Sequence, residues 1–207
     1  MLKDYLKETY GYNEPIFINE IKLEYFTDNA LRQSFKRMVK YGELIRFDTG
    51  IYYLPDDSRL LKKTYLDPLK VISCKYVQRN SDIFGYFSGA FFANQLGLTT
   101  QMPAVIEIVT NKESTKGRTV TIGGQSVRLK HSSIDITKEN AALLQFLDIV
   151  TKIEKYTELT INDAAAVLRQ YIQKYNFSKT QLAGVLSAVT AQTAKKLIEW
   201  GLIYEFA

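Results

Sequence analysis

Apolar positions along the chain recur at two spacings, and each spacing predicts its own kind of element. Leu2, Leu6 and Tyr10 repeat as on one face of a helix, and Gly11 stands where such a helix would stop. Asn13-Glu14-Pro15 reads as a connector, Pro15 to Ile18 as a short strand, and Ile18 to Tyr25 as a short second helix with Ile18 and Ile21 inward. Thr27 is a good N-cap, with Asp28 beside it to favour the positive end of the helix that follows. That helix is predicted from Asp28 to Lys40, with Leu31, Phe35, Met38 and Val39 as its apolar stripe. Gly42 stops it. Two β-rich runs follow, Leu44-Ile45-Arg46-Phe47 and Ile51-Tyr52-Tyr53-Leu54, joined by Asp48-Thr49-Gly50 and ended by Pro55-Asp56-Asp57. A three-residue connection with glycine last predicts a type I turn closed by a G1 bulge.

The order helix, short strand, helix, helix, hairpin is that of a winged helix-turn-helix, expected over residues 1–57. Residues 58–70, with Arg59, Lys62 and Lys63, read as a linker or docking segment, the stretch Arg59 to Tyr65 being the part that would dock. Residues 71–207 form the rest. Asp67-Pro68 opens a helix to about Val77, with proline at the favoured first position. Ser88 to Leu96 is a helix of small and aromatic residues ended by Gly97, and Ala104 to Thr110 is a continuous apolar strand. Asn111 to Gly117 is a polar, exposed loop. Arg118 to Ile122 and Val127 to His131 form a second hairpin around Gly123-Gly124. The terminal part is helical: Lys138 to about Ile153 capped by Thr137, Asn162 to about Tyr175, a third helix opened by the capping-box spacing of Ser178-Lys179-Thr180-Gln181, and a fourth capped by Thr190 and closed by Trp200-Gly201. The fold class is therefore α+β: an N-terminal winged helix-turn-helix, an α+β module and a helical C-terminal part.

A chain of 207 residues can bury roughly 70% of its unfolded surface and needs no staple to fold. Its apolar runs are far shorter than a membrane span, and Lys3, Asp4, Lys7 and Glu8 interrupt any signal-peptide core, so a soluble, cytoplasmic protein with no membrane partner is expected. The net charge of +5 matters less than where the charges sit. Residues 71–130 hold 7 basic and 3 acidic side chains, whereas residues 1–70 hold 12 and 11. Within that nearly neutral first part the charges are segregated. Between Ala30 and Phe47, Arg32, Lys36, Arg37, Lys40 and Arg46 face one carboxylate, Glu43. A basic face on a neutral module suits an acidic partner such as nucleic acid.

Enzyme chemistry finds little to work with. One cysteine, Cys74, and one histidine, His131, leave no structural zinc set, and a Ser-His-Asp triad would depend wholly on His131, which reads as a satisfied turn or strand histidine. On the apolar strand Glu107 stands where a metal-dependent nuclease could place an acid, but Val109 occupies the lysine position and Asp82 is the only other acid near. Gly123-Gly124 lacks the flanking pattern of a phosphate loop. Gly85-Tyr86-Phe87-Ser88-Gly89 lacks the glycine spacing of a nucleophile elbow and follows no long strand, so Ser88 reads as a helix cap. No catalytic residue, cofactor or metal is expected, and the many tyrosines and phenylalanines are assigned to core and interfaces.

The predicted helix 28–40 is the sharpest functional signal. In a helix-turn-helix the second helix of the motif enters the major groove and its N-terminal residues reach base edges. Asn29 and Gln33 suit bidentate pairing with adenine, Arg32 and Arg37 guanine or phosphate, and Lys36 and Lys40 phosphate. Arg46 and Thr49 on the wing would lie near the backbone or minor groove. Double-stranded DNA is thus the expected partner.

The segments "RFDTGIYYLP", "GYFSGAFFANQLGLTTQMPAVIEIVTN" and "RTVTIGGQSVRLKH" together resemble the AbiEi-type antitoxins of bacterial type IV toxin–antitoxin (abortive infection) systems. The resemblance covers about the first 130 residues, and "GLTTQMP" with the strand after it is its most specific part. It implies a repressor that binds inverted repeats in the promoter of its own operon and an antidote that counters a nucleotidyltransferase-like toxin without needing to bind it tightly. It supplies no catalytic residues. Two rivals remain: a protein-interaction module that neutralises a partner without DNA, and a stand-alone winged-helix transcription factor that senses a small ligand.

Overall fold

In a computed structural model of the chain, helical spacing becomes helix wherever a cap closes it. The structure describes residues 2–56, 65–114 and 116–207. Two compact units emerge, Met1–Cys74 with Ile122–Gly124, and Lys75–Thr121 with Gln125–Ala207. Asp57, Arg59, Lys62 and Lys63, with most of the expected linker, lie outside the described residues.

The first unit opens with α1 (Leu2–Tyr10), β1 (Ile16–Phe17) and a single 3₁₀ turn (Ile18–Glu20). It continues with α2 (Asp28–Lys40), β2 (Ile45–Asp48) and β3 (Ile51–Tyr53). The three strands form one antiparallel sheet in the order β1-β3-β2, so Tyr52 stands between Ile16 and Arg46. The expected helix from Ile18 to Tyr25 is the 3₁₀ turn alone. Ile18 and Ile21 are both buried, as expected, but a three-residue period aligns i with i+3, so one turn suffices and Ile21 is already extended. The hairpin also differs from expectation. Asp48 belongs to the strand and pairs with Ile51, leaving Thr49-Gly50 at the tip, and the register shifts between Arg46 and Asp48. Asp48 Oδ1 takes the Thr49 N–H at 2.6 Å, and Gly50 supplies a φ of 73° that the tip requires. Leu6, Ile16, Leu31, Phe35, Leu44 and Leu54 meet in the core of this unit.

The division between units falls within α3 (Pro68–Tyr76). A short hairpin of β4 (Gln78–Arg79) and β5 (Asp82–Ile83) follows, with Asp82 on its second strand. Then come β6 (Gly85–Ser88), α4 (Gly89–Gln95), β7 (Val105–Thr110), β8 (Arg118–Ile122) and β9 (Gln125–Lys130). Strands β6, β7, β9 and β8 lie in that order, with β6 antiparallel and β9 parallel to β7. Strand β7, apolar at four of its six positions, lies inside the sheet between β6 and β9.

The helical part consists of α5 (Ala141–Tyr156), α6 (Ile161–Tyr175), α7 (Lys179–Gly184) and α8 (Ala191–Glu199), with 3₁₀ turns at Leu186–Ala188 and Leu202–Glu205. Helix α5 starts three residues later than Thr137 suggests. Asn140 Oδ1 takes the Thr137 N–H at 2.8 Å and its Nδ2 donates to the Asp135 carbonyl, which ties residues 137–140 into a turn before the helix. The other caps are as expected: Ser178 and Gln181 form the reciprocal capping box, and Thr190 Oγ1 accepts from Thr193 N–H. Among the described residues no helix is long and apolar enough to cross a membrane.

Between β7 and β8, Glu113 organises the loop from within. Its side chain is only 3% exposed and accepts from Ser114 N–H, Ser114 Oγ and Arg118 Nε. The Glu113 carbonyl meets His131 Nδ1 at 2.9 Å, which fits the expected satisfied histidine. Burial alone would raise the Glu113 pKa, but Ser114 and Arg118 outweigh it and hold the group below the usual carboxylate value of 4.5. A depressed folded-state pKa stabilises the fold above the unfolded value and loses that effect as pH falls through the folded value. Glu113→Gln is therefore expected to lower the melting temperature at neutral pH and to matter far less at about pH 2. Melts of both proteins across that range check this, and a pH-independent difference would contradict it.

Candidate nucleic-acid interface

Helix α2 is built to present one face. Thr27, extended at φ −72° and ψ 155°, accepts the Ala30 N–H on Oγ1 at 3.2 Å, which fixes the first turn. Asp28 at the N-terminal end and Arg37 and Lys40 at the C-terminal end each suit the helix dipole. Leu31, Phe35 and Met38 are buried. On the opposite face Asn29, Arg32, Gln33, Lys36, Arg37 and Lys40 are all exposed. The structure thus brings six of the sequence-predicted residues onto one surface. The other two meet at the hairpin, where Arg46 Nη2 donates to Thr49 Oγ1 at 3.4 Å and Arg46 Nε to the Asp48 carbonyl.

Some surface lysines elsewhere have carboxylate partners, among them Lys3 with Glu43, Lys70 with Glu14 and Lys195 with Glu199. No such pair engages Arg32, Lys36, Arg37 or Lys40 among the described residues. Four cations with no carboxylate to leave can meet phosphates without breaking an ion pair. Arg32 has a different tie, donating from Nη2 to Asn19 Oδ1 at 3.1 Å. Sequence reasoning missed Asn19, because it sits in the 3₁₀ turn and carries no periodic signal of its own.

The second unit holds a polar cluster that the sequence also concealed. Ser88 ends β6 and occupies the N-cap position of α4, but its hydroxyl does not cap the helix. It donates to Asp148 Oδ2 on α5, correcting the reading of Ser88 as a cap. Lys152 reaches the other Asp148 oxygen at 2.5 Å. Ser88 also lies directly opposite Glu107 on β7, and Glu107 pairs with Lys130 of β9. The lysine absent from position 109 thus arrives from the neighbouring strand, where Lys130 stands opposite Val109 and two positions beyond Arg128, which is opposite Glu107. Gly89 at φ 65° lets the Glu107 carboxylate approach, since a Cβ there would sit 2.9 Å from Oε2. Burial, then the Asp148 charge, pushes the Tyr86 phenol up. Each carboxylate has a lysine, and Ser88, 1% exposed, is closed to solvent. The cluster is suited to fixing α5 against β6. No group of three or more His, Cys, Asp or Glu side chains able to hold a metal occurs among the described residues.

Residues 5–175 match a protein family described as a family of unknown function (DUF6088). The chain belongs to this family. A search of curated proteins finds no match. The DUF6088 match takes in α2, the β2–β3 hairpin and the Ser88 cluster, and ends with α6.

Proposed function

We propose that this DUF6088 chain binds double-stranded DNA through α2, with the β2–β3 hairpin as a wing. On this reading its N-terminal unit is a winged helix-turn-helix in which the 3₁₀ turn replaces the middle helix. The observation that carries it is the exposed face of α2, where two carboxamides stand among four cations that no carboxylate of the described residues pairs with. The antitoxin-like segments support a fuller role. The chain represses its own operon at inverted repeats, and in the cytoplasm it counters a nucleotidyltransferase-like toxin. Nothing in this reading requires catalysis.

Arg32→Ala and Lys36→Ala are each expected to weaken binding to the promoter upstream of the gene while leaving the fold intact. Loss of one phosphate contact should lower the salt slope by about one. Titrations at several salt concentrations check this, and unchanged affinity for both variants at matched salt would remove α2 from the interface. A chain carrying Lys36→Ala and Arg37→Ala together should lose repression and still rescue cells from the toxin. A wild-type chain that rescues cells but binds no duplex would instead be a protein-interaction module.

On the ligand-sensing alternative, the place for a ligand is an open hollow of about 550 Å³ in the second unit. Asp82, Asn111 and Thr137 line it beside Ile83 and Phe84. A small ligand that raises the melting temperature and changes promoter affinity would support that alternative.

A further inference from the structure

The exposed face of α2 divides into two rows. Asn29, Gln33 and Arg37 follow one another at four-residue intervals, and Arg32, Lys36 and Lys40 do the same beside them. Side chains four apart lie one above another on a helix. The first row begins with two carboxamides, and the second is wholly cationic. No described residue hydrogen-bonds the Asn29 or Gln33 side chain, whereas Arg32, at the head of the second row, is held by Asn19. Carboxamides free to present both donor and acceptor fit the N7 and N6 edge of adenine, and cations fit phosphates. Both carboxamides lie in the first two turns, the part of such a helix that reaches base edges.

Four residues of helix advance about 6 Å, close to two base-pair steps of about 3.4 Å each. We propose that Asn29 and Gln33 each read an adenine, so that every half-site contains two A·T pairs about two steps apart, while Arg32, Lys36 and Lys40 hold the flanking phosphates. This rests on the DNA-binding reading of α2 and adds to it the sequence class of the DNA.

The experiment is selection from a pool of randomised duplexes with the full chain and with Asn29→Ala, Gln33→Ala and Lys36→Ala. All three side chains are exposed, so circular dichroism should show unchanged folding. The wild-type chain is expected to enrich two A·T pairs about two steps apart. Asn29→Ala should lose preference at one of them and Gln33→Ala at the other, each by about tenfold. Lys36→Ala should keep both preferences while binding every duplex less tightly. Enrichment of sites without those A·T pairs, or preferences that survive both carboxamide substitutions, would overturn the row assignment and leave DNA binding standing. A wild-type chain that retains no duplex would overturn the DNA-binding reading itself.

Discussion

Phe35→Ala should unfold the N-terminal unit, lowering its stability by about 3–5 kcal/mol. Phe35 is fully buried in the middle of the α2 stripe, between Leu31 and Met38, and meets the Tyr52 ring edge-on with centroids 5.0 Å apart. Removing the ring takes away an edge-on contact between α2 and the central strand β3, and neighbours on a strand and a helix collapse poorly into the space. In a unit of this size each kilocalorie corresponds to roughly 4–8 °C of melting temperature. Hydrogen exchange at the α2 amides, with a thermal melt, measures the effect. Protection and melting indistinguishable from the parent would show that Phe35 does not hold the helix. On the DNA-binding proposal, promoter binding should fall with it, because the exposed face of α2 has no support without its buried side.

Phe146→Ala should have a comparable effect on the second unit, again about 3–5 kcal/mol. Phe146 is fully buried on α5, and its ring lies 6.0–6.1 Å from those of Tyr171, Phe177 and Phe206. One ring therefore joins α5 to α6, to the segment after α6 and to the end of the chain. Trp200 is the chain's only tryptophan and packs against the same core, so its fluorescence reports on this unit. A Trp200 unfolding transition that does not move would contradict the assignment.

Much of this was legible in the sequence wherever one element carries its own signal. Thr27, Ser178 and Thr190 cap the helices they were expected to cap, and the stripe Leu31, Phe35, Met38 is the buried face of α2. The six exposed residues of α2 follow from the same periodicity. Arg46 and Thr49 share the hairpin but gain a mutual hydrogen bond that spacing does not foretell. What escaped depends on partners distant in the chain. Asp148 is 60 residues from Ser88, and Lys130 is 23 from Glu107, so neither pairing has a local pattern. Strands of two residues, such as β4 and β5, are too short for alternation to show. The helix expected from Ile18 to Tyr25 failed because one 3₁₀ turn gives both isoleucines their burial.

DNA binding by α2 is tested most directly by the salt dependence of affinity for the chain's own promoter duplex. The logarithm of the binding constant should fall linearly with the logarithm of salt concentration, with a slope of about −0.9 for each phosphate neutralised. Three to five contacts from Arg32, Lys36, Arg37, Lys40 and Arg46 would give a slope between about −2.7 and −4.5, and alanine at Lys36, Arg37 and Lys40 together should flatten it by about two to three. A slope near zero for the wild-type chain, or one that the triple substitution leaves unchanged, would contradict DNA binding through this helix.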